Sequence, residues 1–148
     1  MGPARPFGGM NTRIVPDDFQ VPQVLETDEF RLRPLTVHDL IKDYDAMMSR
    51  GEETEGLTLE QNLIDLGWHQ KEFQRRSSFT YTVMALDETR CLGCVYIYPS
   101  PTPGVDVDVS MWMRGGESRL DFILFREVQR WIDDVWCFEH VAYPDRMP

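Results

Sequence analysis

VDVDVSMWMRGGESRLDFILFREVQRWIDDV, residues Val105 to Val135, reads as a strand that runs straight into a helix. Val105, Val107, Val109, Met111 and Met113 alternate with Asp106, Asp108, Ser110 and Trp112, the period of two expected of a strand with one buried face. After Arg114-Gly115-Gly116 the period changes. Ser118 with Asp121 three residues on has the form of a capping box, and Leu124, Val128, Trp131 and Val135 lay one apolar stripe along a helix. A strand, glycine and helix junction aims unpaired N–H groups and the positive end of a helix at whatever occupies the crevice, and that guest is commonly an anion.

Working outward, Phe79 to Leu86, the polar turn Asp87-Glu88-Thr89-Arg90, and Cys91 to Tyr98 read as a hairpin leading into this unit through a connection rich in proline. Upstream, Thr58 with Gln61 starts a helix whose apolar positions are Leu59, Leu63, Leu66 and Phe73. Thr36 with Asp39 starts another, carrying Val37, Leu40, Ile41, Tyr44, Met47 and Met48. The acidic Gly51–Gly56 segment between the two reads as a solvated loop. Phe30 to Leu35 alternates like a short edge strand, and residues 1–28, punctuated by prolines and glycines, suggest an extended arm ahead of one domain spanning 29–148. Phe138 to Tyr143 makes a last strand, reached through a crossover helix and so expected to lie parallel to the strand before it. The fold class is α/β, an α+β mixed sheet with helices on its faces.

Composition narrows the partners. With 25 acidic against 15 basic side chains the formal charge is −10, a field that repels nucleic acid and attracts amines and cationic peptides, or serves solubility alone. No apolar run reaches the roughly 20 residues that cross a bilayer, and the start lacks the apolar centre of a secretion signal, so no membrane role and a cytoplasmic location are expected. Three cysteines give no disulfide framework; Cys91 and Cys94, three apart in a strand, should face opposite sides as core or edge residues. His38, His69 and His140 share no ligand spacing, so no metal site is expected. His38 and His69 read as surface or capped residues.

Taken together, Phe30-Arg31-Leu32-Arg33-Pro34-Leu35-Thr36 with Asp39, the hairpin ending in Leu92-Gly93-Cys94-Val95, and Val109-Ser110-Met111-Trp112-Met113-Arg114 ahead of the long helix resemble the GNAT family of N-acetyltransferases over roughly Glu29 to Arg146. The resemblance implies acetyl-CoA as co-substrate, seated in a splay between Val109–Met113 and Phe138–Tyr143. Met111, Trp112 and Met113 would contact the pantetheine arm, and Arg114, Gly115, Gly116, Ser118 and Arg119 the pyrophosphate. The loop departs from the family pattern, being short and carrying Glu117 where phosphate oxygens would sit. The family also continues past the fifth strand with a helix and two more strands that complete the acceptor cleft. This chain stops at Pro148, so the expectation is a fold truncated after the fifth strand, completed by another chain such as a homodimer partner, or no longer a catalyst.

Transfer of an acetyl group to a small-molecule or peptide amine needs a base for the ammonium, donors for the oxyanion, and an acid for the thiolate. Asp106 or Asp108 is the candidate base, the alternative being the solvated face of an exposed strand. Met111–Met113 backbone N–H groups are the candidate oxyanion donors, and Tyr143 the candidate acid or else a packed structural residue. A different class of reading is a catalytically inactive GNAT-like module that binds a protein partner through the vacant splay or the sheet edge.

Overall fold

The computed structural model describes residues 13–146. One sheet of six strands runs in chain order: β1 (Leu25–Glu26), β2 (Phe30–Pro34), β3 (Phe79–Ala85), β4 (Cys91–Pro99), β5 (Val107–Met113) and β6 (Val141–Ala142). Pairing is antiparallel from β1 to β5, where the connections return the chain beside itself, and parallel only between β5 and β6, which the 18-residue crossover helix α3 (Ser118–Val135) separates. Helices α1 (Leu40–Met48) and α2 (Leu59–Gln74) lie between β2 and β3 in sequence. The mixed sheet and its parallel last pair agree with the sequence reading. Strand β1 is additional to it, formed where the chain after Pro22 comes back antiparallel to β2.

Each face of the sheet has its own core. Against α3 pack the inward residues of the strands, among them Leu32, Tyr81, Val95, Val109 and Met111, with Leu124 and Val128 from the helix. The extended segment ahead of β1 closes this side, burying Val15 and tying down through Arg76, which donates to the carbonyls of Pro16 and Phe19. The helix stripe differs from the expected one at its end. Leu120, Leu124, Val128, Trp131 and Ile132 are buried, whereas Val135, in the last turn, is 48% exposed.

The opposite face, under α1 and α2, is polar, and here the apolar patterning of the sequence misleads. Leu59 and Leu63 are about two-fifths exposed and Ile41 more so, while α2 buries Asn62, Leu66, His69 and Glu72 and α1 buries Asp43, Ala46 and Met47. The reason lies in the sheet, which presents Thr80, Thr82, Cys94 and Tyr96 to the helices. Buried hydroxyls need partners, so the helices turn their polar stripe inward. Asn62 donates to Asp43 at 2.9 Å, and the His69 ring meets Thr80 at 3.0 Å.

A bulge in the β3–β4 hairpin corrects the reading of the two cysteines. Val83 pairs with Gly93 but Met84 pairs with Cys91, so Leu92 is an extra residue and the side-chain alternation restarts after it. Cys91 and Cys94 therefore share one face, beside Met84 and Trp112, instead of opposing faces. Glycine is required at 93 because a Cβ there would run into the Trp112 carbonyl of the neighbouring strand. Burial pushes the Cys91 thiol up to about 11 and also raises Cys94 well above the ordinary thiol range, which keeps both as packed thiols.

Because Leu124 is fully buried, Leu124→Ala should cost about 2–5 kcal/mol in urea unfolding, while Val135→Ala on the same helix should change stability by no more than about 0.5 kcal/mol.

Candidate functional site

Strands β5 and β6 begin together and then part. Asp106 sets the beginning: its amide donates to the His140 carbonyl at 2.8 Å, and its carboxylate accepts the amides of Glu139 and His140 at 2.9 and 3.0 Å. Those two amides hold the carboxyl below its usual range. Pairing then runs for only two rungs, Val107 with Val141 and Asp108 with Ala142. After Ala142 the chain turns at Pro144, closed by the Arg146 amide on the Tyr143 carbonyl at 2.9 Å. Strand β5 continues to Met113, and among the described residues no strand covers its outer edge beyond Asp108. This is the expected splay, although the last strand is only Val141–Ala142, shorter than Phe138–Tyr143.

Backbone alternation decides which groups line it. The Arg114 amide donates to Leu92 on β4, so Trp112, two residues back, directs its N–H and C=O toward β4 as well. Met111 and Met113 face the open edge, and the Met111 carbonyl accepts the Arg146 guanidinium across it at 3.3 Å. The Met111 and Met113 side chains pack into the α3 core. The Trp112 ring lies on the other face, with its indole N–H on Tyr96 Oη at 2.8 Å and Arg50 over the ring.

At the far end of the open edge, Met113, Arg114, Gly116, Glu117, Ser118 and Asp121 line a cavity of about 260 Å³ at the start of α3. Gly115 anchors the loop to α1. Its amide donates to Ser49 Oγ at 3.1 Å, and a Cβ at this position would lie 2.6 Å from the Ser49 carbonyl oxygen. The expected capping box does not form. Glu117 is the N-cap without a side-chain bond, and Asp121 is engaged instead by Arg146. The first turn of α3 therefore borders the cavity without a capping side chain on its amides.

The charges here are arranged differently from the expectation. Arg114 turns away to Asp45 at 2.7 Å and to the Cys91 carbonyl at 2.9 Å, and Arg119 pairs with Glu29. The cations that sit on the cavity's own carboxylates are Arg90, on Glu117 at 2.6 Å, and Arg146, on Asp121 at 2.6 and 2.8 Å. The sequence pattern marks neither, because an arginine in a polar turn or beyond the last strand carries no signal of which carboxylate it meets.

Asp108 is half-buried at the last rung, in register with Tyr98 on β4, on the face toward α1 and α2. Tyr143 follows β6 on the α3 face, buried against Phe125 with ring centroids 5.5 Å apart, and burial pushes its phenol up to about 12. The two thus stand on opposite sides of the parting strands. Among the described residues, no three His, Cys, Asp or Glu side chains gather as a metal site would need, and no helix is long and apolar enough to cross a membrane.

His69, read from the sequence as a surface or capped residue, is only 3% exposed beneath α2, where desolvation lowers its pKa to about 4. A neutral imidazole buried against Thr80 binds its proton less readily than the unfolded chain does. Stability should therefore fall as pH drops below about 6.5 and level off near the folded value, losing up to about 3 kcal/mol. Urea unfolding across pH 4–7 checks this, and His69→Gln should flatten the dependence.

No protein-family model matches the chain, and no curated protein matches it significantly by sequence. Solved structures do match. The ribosomal-protein-S5-alanine acetyltransferase of Vibrio fischeri superposes with a TM-score of 0.59 at 12% identity, covering 76% of this chain and 68% of that one. An acetyltransferase of Agrobacterium tumefaciens gives 0.54 at 17% identity over 78% and 69%. RimL, a ribosomal L7/L12 α-N-protein acetyltransferase solved in complex with coenzyme A, gives 0.59 at 7% identity over 74% and 67%. The chain has the GNAT acetyltransferase fold.

Proposed function

We propose that this protein binds acetyl-CoA in the splay between β5 and β6 and transfers the acetyl group to an amine. One observation carries the reading: the unpaired outer edge of β5 leads directly into the cavity at the uncapped start of α3. An amide-bearing arm fits the first, since Met111 and Met113 offer strand-like hydrogen bonds along that edge. A phosphate fits the second, where helix amides and a positive dipole end converge. The carboxylates of Glu117 and Asp121 would oppose phosphate if bare, and the guanidinium on each one offsets that charge.

The chemistry follows from the two faces. The acceptor ammonium approaches from the α1 and α2 side, drawn by the acidic field, and gives a proton to Asp108. The neutral nitrogen attacks the thioester carbon, and backbone N–H on the open edge near Met113 stabilises the oxyanion. The C–S bond breaks as the oxyanion collapses and the C–N bond holds. The thiolate leaves toward the α3 side, where Tyr143 supplies its proton, and the second proton of the attacking nitrogen passes through water to restore the phenol. A phenol kept at about 12 stays protonated until that moment. Asp106 serves as a positioning residue, since its carboxylate is committed to the amides that bring β6 alongside β5. Peptide amino termini and small polyamines are the acceptors this charge favours.

A thermal-shift titration tests binding first. Acetyl-CoA at about a hundred times its dissociation constant adds about 2.7 kcal/mol and should raise the midpoint by several degrees, with ATP as the control for phosphate alone. No shift at millimolar acetyl-CoA would overturn the reading. For the base, Asp108→Asn should lower turnover about a hundredfold with acetyl-CoA affinity unchanged, and unaltered turnover would remove Asp108 from the mechanism.

A further inference from the structure

Arg146 bridges the two parts of the proposed site, the open edge of β5 and the first turn of α3. Its guanidinium forks onto Asp121, Nη1 to Oδ2 at 2.6 Å and Nη2 to Oδ1 at 2.8 Å, and the same Nη2 reaches the Met111 carbonyl at 3.3 Å. The group lies over the Phe125 ring, 5.3 Å from its centroid, and Phe125 in turn packs on Tyr143. Its backbone is fixed by the turn to Tyr143, so the side chain starts from β6 and crosses the gap to β5. A planar fork held by a carboxylate and a ring is ordered before any ligand arrives. An arginine needed only to neutralise Asp121 would not have to reach the strand edge.

We propose that Arg146 is the gate of the acyl-CoA slot: it takes the Met111 carbonyl that the amide arm of the ligand would use, and the arm seats only after the guanidinium leaves. The inference rests on the acetyl-CoA reading of the splay and adds to it a residue that sets ligand affinity from inside this chain. The ligand must displace the guanidinium from the Met111 carbonyl to bind, while the fork on Asp121 stays and keeps offsetting that charge, so the Arg146–Met111 contact lowers apparent affinity by its own worth. No second chain or modification is needed for this. The guanidinium and the ligand amide compete for one oxygen.

The test compares wild type with Asp121→Asn/Arg146→Gln, which removes the bridge without changing net charge, and with Arg146→Lys, which keeps the cation but cannot fork. Calorimetric titration with acetyl-CoA is the readout, with near-ultraviolet circular dichroism to check the fold. The double variant should bind about tenfold more tightly, the worth of one charge-assisted hydrogen bond, and Arg146→Lys should move the same way. Arg146→Lys carries the test if the double variant does not fold. Equal or weaker binding by the variants, with wild type binding normally, overturns the gate and leaves the acetyl-CoA reading standing. Absence of acetyl-CoA binding in every protein overturns that reading, and the gate with it.

Discussion

Two rungs of parallel pairing, Val107 with Val141 and Asp108 with Ala142, fix the character of the whole molecule. Parallel strands joined by a crossover helix start in register, but nothing obliges them to stay so once one of them turns away. Asp106 pins the start by holding two amides of the incoming strand, and Pro144 ends it. The result is a backbone edge that is part of a sheet on one side and open on the other, inside an otherwise closed core. Such an edge is a cost in any fold, and here Arg146 partly covers it.

The helix that makes the crossover also terminates the slot. Its long apolar face is held against β3, β4 and β5, which leaves its first turn directed at the end of the open edge. Basic residues near that turn are each drawn to a carboxylate elsewhere on the body: Arg114 to Asp45, Arg119 to Glu29. In a chain with ten more acidic than basic side chains, the arginines of this loop have several carboxylates within reach, and which one each takes depends on the packing. The local sequence of the loop therefore says less about its charge than the two arginines that come from β4's start and from beyond β6.

On the other side of the sheet a polar layer adjoins a smaller apolar cluster of Ala46, Met47, Met84 and Trp112. Asp43, Asn62, His69 and Thr80 are buried together beneath α1 and α2 with Tyr96 half-buried beside them, each needing a partner from a different element. Burial raises the pKa of Asp43 and lowers that of His69, both moves toward the neutral form. Satisfied polar contacts of this kind fix how the helices lie on the sheet more narrowly than apolar packing does, because hydrogen bonds tolerate little sliding.

Periods of two and of about 3.6 residues, read with the turn and cap residues, determined the three helices and the strands from Phe30 onward, their order and the parallel last pair, and the family resemblance gave the position of the splay. The elements follow from local sterics and from which side chains leave water, and both are written in neighbouring residues. Tertiary structure alone decided the rest. The bulge at Leu92 turned Cys91 and Cys94 to one face, because the constraint was the Trp112 carbonyl on the next strand. The polar stripe of α2 went inward over the apolar one because of what β3 and β4 offered it. Arg146 became the partner of Asp121 and Met111 across separations of 25 and 35 residues. Charges choose partners by distance in space, and for an isolated arginine the chain order carries no trace of that distance.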